Sequence, residues 1–269
     1  MEWGRGAVAH EGPEGGAHMD SRRHAGRVAI VTGAGSGIGR ATVLRMVAEG
    51  ATVIGLDVNE AGLAGTREEL DAVGATAELL VADVTSQADV DRVVAGRTAV
   101  DVLVNNAGIM DHSLPLGEVD DATWDRVLAV NVTGVMRLTR AVLPLMESAG
   151  HGSIVTVASE ASLRAGASGV SYTTSKHAVI GLVRHVAYFY GPRGIRSNAV
   201  LPGAVQTGIG SSSSPAVPWA MERAMASFGV IGTPAQPDQI AAAISWLASD
   251  EASNVNGACL ADDGGWSAA

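Results

Sequence analysis

The stretch Thr32-Gly33-Ala34-Gly35-Ser36-Gly37-Ile38-Gly39 follows an apolar run at residues 28–31 and leads into a helical pattern at residues 38–49. A glycine-rich turn between a strand and a helix presents backbone N–H groups and the positive helix end to a pyrophosphate. The spacing is T-G-x-x-x-G-x-G, a variant of the stricter G-x-G-x-x-G pattern. This stretch therefore predicts a dinucleotide-binding site on a strand–turn–helix unit.

Beyond this turn, short apolar runs alternate with helical patterns along the rest of the chain. Strands are predicted at residues 28–31, 52–56, 77–81, 100–104 and 153–158, with weaker candidates at 195–201 and 258–261. Helices are predicted at residues 38–49, 63–73, 123–146 and 169–190. Such alternation is typical of a parallel sheet with helices on both faces. We therefore expect residues 25–269 to form one doubly wound α/β domain of the Rossmann type.

Residues 1–24 differ from this pattern. They are rich in glycine, carry mixed charges and show no hydrophobic periodicity, and they lack the apolar core of a secretory signal. We expect them to form a disordered N-terminal tail.

Composition excludes several classes of protein. Among the 269 residues, 47% are hydrophobic and 17% charged, which is typical of a globular protein. No uninterrupted apolar stretch reaches the length of a membrane span, and the single cysteine, Cys259, suits a reducing cytoplasm. The net charge of −10 disfavours nucleic acid as a partner. His112, His151, His177 and His185 show no metal-ligand spacing, so no metal is expected.

Asp57 follows the second predicted strand and bears on the choice of cofactor. A carboxylate there can accept hydrogen bonds from the adenosine ribose and repel a 2′-phosphate. Neither Ser36 nor Val58 offers a positive charge to such a phosphate, and Arg40 is the nearest cation. This pattern favours NAD over NADP, with a solvated aspartate at a strand end as the alternative interpretation.

Tyr172 and Lys176 lie four residues apart in the predicted helix 169–190, so their side chains share one face. Lys176 is the only lysine among the 18 basic residues. A nearby ammonium lowers the pKa of a phenol from its usual value near 10. A phenol tuned in this way can exchange a proton with an alcohol oxygen. The alternative is an ordinary surface pair.

Several motifs together resemble the short-chain dehydrogenase/reductase family from about Arg27 to Trp266. They are the glycine-rich stretch, Asp83-Val84, Asn105-Asn106-Ala107-Gly108, Asn131, Ser159, Tyr172-x-x-x-Lys176, and Pro202-Gly203 with Thr207. The resemblance is greatest to bacterial 3-oxoacyl-[acyl-carrier-protein] reductases and glucose 1-dehydrogenase-like members. It implies an enzyme that interconverts a secondary alcohol and a ketone by hydride transfer with a nicotinamide cofactor.

The resemblance also implies a role for each catalytic residue. Tyr172 is expected to be the general acid/base, and Ser159 to hydrogen-bond the substrate oxygen and the phenolate. Lys176 is expected to hold the nicotinamide ribose and to lower the pKa of the tyrosine. Asn131 is expected to anchor a water molecule that links Lys176 to solvent.

The cofactor residues follow from the same resemblance. Asp83 is expected to meet the adenine, and Val205 and Thr207 to orient the nicotinamide carboxamide. The full expected set is Gly33, Gly35, Ser36, Gly37, Ile38, Gly39, Asp57, Asp83, Val84, Asn106, Ala107, Gly108, Tyr172, Lys176, Val205 and Thr207.

The sequence departs from the family where residues 83–105 are about one helical turn shorter than usual, so we expect a shorter helix there. The substrate lid is expected at about residues 208–230, where Ser211–Ser214 precede Trp, Met and Phe residues and Arg223 is the only cation. This composition favours a neutral, moderately apolar substrate. The alternatives are a 3-oxoacyl-thioester reductase of the same family and a non-catalytic dinucleotide sensor. Family members of this size commonly form homotetramers, which we also expect here.

Overall fold

In the computed structural model, which describes residues 22–209 and 217–268, seven strands form one parallel sheet. They are β1 (Val28–Thr32), β2 (Thr52–Asp57), β3 (Glu78–Val81), β4 (Val102–Asn105), β5 (Gly152–Val157), β6 (Ile195–Pro202) and β7 (Cys259–Asp262). Their order across the sheet is β3-β2-β1-β4-β5-β6-β7. The predicted parallel α/β fold is confirmed, and each predicted strand exists with its ends shifted by at most about two residues.

Helices connect the strands and cover both faces of the sheet. They are α1 (Gly37–Ala48), α2 (Glu60–Ala72), α3 (Gln87–Val94), α4 (Asp121–Leu128), α5 (Val135–Ala149), α6 (Val170–Tyr190), α7 (Pro218–Phe228) and α8 (Pro237–Ala248). A π-helical turn (Ala129–Gly134) joins α4 to α5. The short helix expected within residues 83–105 is α3, whose eight residues are capped by Ser86.

The central strands are buried on both faces because their side chains alternate between two helical layers. Val31 and Val104 pack with α1 and α8, whereas their neighbours Ile30 and Leu103 pack on the opposite face against α5. This double burial explains why the central strands read as continuous apolar runs in the sequence.

The run from Asp121 to Ala149 is long and apolar enough, by length and composition alone, to cross a membrane. The sequence did not predict a stretch of this length, because charged residues interrupt its apolar ones. Here Leu138, Val142 and Met146 are buried against the sheet. Asp120 caps its first turn and accepts a hydrogen bond of 2.6 Å from the N–H of Thr123.

The N-terminal part of the domain begins earlier than predicted. His24 lies in an ordered turn, is only 1% exposed, and hydrogen-bonds Ser245 over 3.1 Å. Ser245 also donates to Glu49, so the turn is fastened to α1 and α8. The predicted tail is therefore wrong for residues 22–24, because burial against two distant helices orders them. Residues 1–21 lie outside the described residues.

Burial lowers the pKa of His24 below its usual 6.5. Below about pH 6.5 the unfolded chain therefore binds a proton that the folded chain does not, and the free energy of unfolding falls as the pH falls towards the lowered value. We expect His24→Gln to lose less stability than the wild type between about pH 7.5 and pH 5.5, as measured by urea unfolding. His177→Gln, at an exposed histidine, is the control and should follow the wild type. Identical losses in the wild type and His24→Gln would contradict this prediction.

Candidate active site

A cavity of about 360 Å³ opens at the carboxyl ends of β1 and β4, where the strand order reverses. Ligands of open α/β sheets bind at such a switch point. The predicted residues that line it are Gly33, Ser36, Gly37, Ile38, Asp57, Asp83, Val84, Asn106, Ala107, Gly108, Ser159, Tyr172, Lys176, Val205 and Thr207. The other predicted residues do not line the cavity; they are Gly35, Gly39 and Asn131.

The glycine-rich turn packs too tightly for larger residues. A Cβ atom on Gly39 would lie 2.0 Å from the carbonyl oxygen of Gly33 and 2.5 Å from Asn106 Nδ2. Gly33 itself has a φ of +71°, which favours glycine. Ser36 caps α1 without using its side chain, so the first N–H groups of the helix remain available to an anion.

Thr32 ties this turn to the loop after β4. Its hydroxyl accepts hydrogen bonds of 2.9 Å from the N–H groups of both Asn106 and Ala107. The Asn106 side-chain amide donates in return to the Thr32 carbonyl over 2.8 Å. The two walls of the crevice are thereby held at a fixed separation.

Asp57 lies at the end of β2 against the glycine-rich turn. Its two carboxylate oxygens accept hydrogen bonds of 2.9 Å, one from the N–H of Gly35 and one from that of Asn59. A carboxylate can accept further bonds at the same oxygens, so Asp57 can still receive hydroxyl groups. Arg40 is tied down nearby, since it donates to Glu69 over 2.8 Å and to the carbonyl oxygen of Gly35.

These features fit a nicotinamide dinucleotide. The Thr207 hydroxyl, from another part of the cavity lining, is buried and has no hydrogen-bond partner among the described residues. A buried hydroxyl of this kind calls for a polar ligand group. The crevice thus offers a phosphate cradle, a ribose acceptor and an unsatisfied hydroxyl in one cavity.

Tyr172, Ser159 and Lys176 meet on the wall of the same cavity. The Ser159 and Tyr172 side chains are hydrogen-bonded, and Tyr172 and Lys176 are only 8% and 4% exposed. The Lys176 ammonium donates to the Val157 carbonyl over 2.8 Å and lies 5.4 Å from the centre of the Tyr172 ring. A buried phenol therefore lies on the wall of the crevice that contains the glycine-rich turn.

Burial dominates the ionisation of this pair. It raises the pKa of Tyr172 to about 12, with the Ser159 hydrogen bond acting in the opposite direction. It lowers the pKa of Lys176 to about 8. The sequence predicted a lowered pKa for the tyrosine, and the structure reverses that direction. The reason is that desolvation disfavours both charged forms and the ammonium is directed at Val157.

Residues 33–267 match a family model described as Enoyl-(Acyl carrier protein) reductase. The chain belongs to the short-chain dehydrogenase/reductase family. It is 41% identical over 259 residues to 3beta-hydroxysteroid dehydrogenase 2 of Eggerthella lenta, covering 93% of this chain and 100% of that protein. It is 42% identical over 246 residues to cis-4-hydroxycyclohexanecarboxylate dehydrogenase of Sinomonas cyclohexanicum, covering 90% and 97%.

Solved structures also resemble this fold over most of the chain. Levodione reductase superposes with a TM-score of 0.83 at 36% identity, covering 90% of this chain and 98% of that one. A Beutenbergia cavernae protein described as an NAD(P)-dependent gluconate 5-dehydrogenase, with NADP bound at low occupancy, gives a TM-score of 0.81 at 39% identity, covering 91% and 98%. The protein is therefore an NAD(P)-dependent oxidoreductase of the family that interconverts secondary alcohols and ketones.

Asn131 lies in the π-helical turn between α4 and α5, a feature that often marks functional sites. Its side chain is 1% exposed and exchanges two hydrogen bonds of 2.9 Å with the backbone of Ile109. It also donates to the Ser175 hydroxyl over 3.0 Å. Asn131 thus joins the loop after β4 to α6. The sequence did not identify Ile109 or Ser175, because neither carries a recognisable motif.

The expected lid is partly described. Ser211–Ser214 lie outside the described residues, and α7 forms the remainder. The indole N–H of Trp266 donates to the Ser227 carbonyl over 3.1 Å, and its ring meets the Phe228 ring edge-on at 6.3 Å between centroids. The C-terminal turn therefore packs on the lid helix, a contact between distant segments that the sequence did not reveal.

The close approach of Gly39 to Gly33 yields a prediction about cofactor binding. In Gly39→Ala the added methyl group must push α1 away from the turn, so we expect the NADH dissociation constant to rise at least about tenfold. The measurement is a titration of NADH fluorescence. Gly181→Ala is the matched control, because a Cβ atom at Gly181 has nothing within 4 Å. Equal NADH affinity in both variants would show that the turn does not bind the cofactor.

Proposed function

We propose that this chain oxidises or reduces a neutral, moderately apolar secondary alcohol or ketone with NAD(H), and that Tyr172 is its general acid/base. The observation that carries the proposal is the placement of Ser159, Tyr172 and Lys176 on the same cavity as the glycine-rich turn. A proton-exchanging group must reach the carbinol oxygen while a hydride carrier reaches the carbinol carbon, and this cavity has room for both on one substrate.

The proposed mechanism assigns each side chain one task. A bound nicotinamide supplies hydride-transfer chemistry. During oxidation Tyr172 takes the hydroxyl proton as the carbinol hydrogen leaves with its electron pair, and the product is a ketone. During reduction Tyr172 returns a proton to the oxygen, which Ser159 hydrogen-bonds throughout. The pKa of about 12 favours the protonated phenol, so proton removal depends on stabilisation of the phenolate by Ser159 and Lys176.

Lys176 and Asn131 are proposed to support that proton transfer. The buried ammonium of Lys176 donates to the Val157 carbonyl, and as a group with three N–H donors it can also donate to ribose hydroxyls of the cofactor. Asn131 is proposed to anchor a water molecule in a relay from Lys176 to solvent. Its side chain is engaged by Ile109 and Ser175, so it also fixes the loop that lines the relay.

Preference for NAD is supported by Asp57 and Arg40. The carboxylate beside Gly35 would repel a 2′-phosphate, and Arg40 is held by Glu69 rather than directed into the cavity. The related protein described as a gluconate 5-dehydrogenase has NADP bound, so NADP binding is seen for that relative. The remaining cofactor residues, including Asp83 and Thr207, are proposed in the roles given above.

Asp57→Ala tests this preference. Removing the carboxylate removes both the ribose acceptor and the repulsion of a 2′-phosphate, so we expect the ratio of kcat/KM with NAD to that with NADP to fall at least about tenfold. Asp71→Ala, at an exposed aspartate on α2, is the control. An unchanged ratio in Asp57→Ala would place cofactor choice elsewhere.

The lid supports an apolar substrate. A second cavity of about 460 Å³, lined mainly by apolar groups, lies between α7 and the start of α6, and Trp219 and Phe228 contribute to it. Arg223 is the cation in its lining. The relatives reported above include proteins named for a hydroxysteroid and a hydroxycyclohexanecarboxylate, both cyclic secondary alcohols, of which the hydroxysteroid is the example without a carboxylate in its name.

Two alternatives remain as separate hypotheses. A 3-oxoacyl-thioester reductase would have to meet an acidic carrier protein, and the net charge of −10 disfavours that encounter. A non-catalytic sensor predicts the loss of a catalytic side chain, yet Asn131, Ser159, Tyr172 and Lys176 are all present.

We further propose a cytoplasmic homotetramer that assembles through α4, α5, α6 and β7. The exposed Tyr188 and Phe189 on α6 support such an interface.

Tyr172→Phe tests the assigned acid/base. The substitution removes the transferable proton and little volume, so kcat/KM with the alcohol should fall at least about a hundredfold. The NADH dissociation constant should stay within about twofold of the wild type, since the ring remains. Tyr188→Phe is the matched control, because it removes the same hydroxyl from the same helix but outside the cavity lining. Substantial turnover by Tyr172→Phe would overturn the assignment.

A further inference from the structure

The loop between β4 and α4 contains a fully buried carboxylate, Asp111. Its Oδ2 accepts hydrogen bonds from the N–H groups of Ser171, over 2.8 Å, and Tyr172, over 3.1 Å. Its Oδ1 is buried without a hydrogen-bond partner among the described residues. Burial of a carboxylate is costly unless it is compensated, and here the N-terminus of α6 supplies the compensation.

The backbone after Asp111 is strained. His112 and Ser113 have φ values of +56° and +55°, two successive non-glycine residues in the left-handed region. This conformation lets the Leu114 carbonyl accept a hydrogen bond of 3.0 Å from the N–H of Val170. The loop thereby caps three successive N–H groups of α6, and such strain persists only where surrounding contacts enforce it.

Gly169 allows this loop to approach the helix. It precedes α6 and offers no side chain for capping. A Cβ atom at this position would lie 2.4 Å from Asp111 Oδ1 and 2.5 Å from the Leu114 nitrogen. Capping by Asp111 therefore replaces the usual local cap, and the glycine is the space that Asp111 requires.

We propose that Asp111 is a positioning residue for Tyr172: it fixes the first turn of α6 so that the phenol meets Ser159, and it keeps a negative charge close to that phenol. The inference rests on the proposed role of Tyr172 as general acid/base. Asp111 reaches the tyrosine through its backbone N–H and touches neither cofactor nor substrate in this scheme.

Three groups face the phenol from the elements packed around it. Ser159 follows β5 and hydrogen-bonds it, Lys176 lies one turn further along α6, and Asp111 comes from the loop after β4. The Asp111 charge raises the pKa of Tyr172 and thus opposes Ser159. If that charge is removed, the pKa of Tyr172 falls and the phenolate forms at lower pH.

The test is the pH profile of kcat/KM for alcohol oxidation by Asp111→Asn. We expect its apparent pKa to move to lower pH by at least about half a unit, because a like charge has been removed. We expect kcat to fall several-fold and the NADH dissociation constant to stay within about twofold of the wild type. Asp120→Asn is the matched control. Asp120 also caps a helix, at the exposed start of α4, so the same substitution there should leave the pH profile unchanged.

Asp111→Glu distinguishes the effect of the charge from that of its position, because glutamate keeps the negative charge and moves it by one methylene group. This variant should lower kcat and leave the apparent pKa of the profile where it is in the wild type. An unchanged profile in Asp111→Asn, or an equal shift in Asp111→Glu, would overturn the inference. If Asp111→Asn does not fold, Gly169→Ala must lower kcat with NADH affinity retained, and an unchanged kcat overturns the inference. Full turnover by Tyr172→Phe would instead overturn the proposed function itself, so the two failures are distinguishable.

Discussion

The crevice between β1 and β4 is the constraint on which the rest of the structure depends. The chain leaves these neighbouring strands in opposite directions, because β2 lies beyond β1 and β5 lies beyond β4, so the loops that follow them separate. The glycine-rich turn forms one wall, and Thr32 fastens it to the opposite wall at Asn106. The helix dipole of α1, the carboxylate of Asp57 and the phenol of Tyr172 all reach the same space as a result.

Burial then sets the proton chemistry of that space. Desolvation moves the pKa values of Tyr172 and Lys176 apart, to about 12 and about 8, because burial disfavours the charged form of each group. A phenol that holds its proton is suited to donating it to a developing alkoxide. Asp111 acts in the same direction, and Ser159 in the other. The ionisation of Tyr172 is thus set by its own burial and by groups from two other parts of the chain, Ser159 and Asp111.

Much of the fold and of the site could be predicted from sequence, because periodicity and glycine spacing are local. The seven strands and the glycine-rich turn fall in this class, whereas most of the other predicted cavity-lining residues were expected from the family resemblance. What could not be predicted depends on contacts between distant segments. His24 is ordered by α1 and α8, and Trp266 packs on α7. The direction of the Tyr172 pKa shift required knowledge of its burial.

The central claim is that one crevice brings a dinucleotide and Tyr172 together, and a crystal structure of the protein with NADH tests it most directly. The account predicts the pyrophosphate at the start of α1 against residues 33–39. It also predicts the adenosine ribose at Asp57 and the nicotinamide ring beside the Tyr172 hydroxyl. A dinucleotide bound elsewhere, or a nicotinamide ring turned away from Tyr172, would contradict the account.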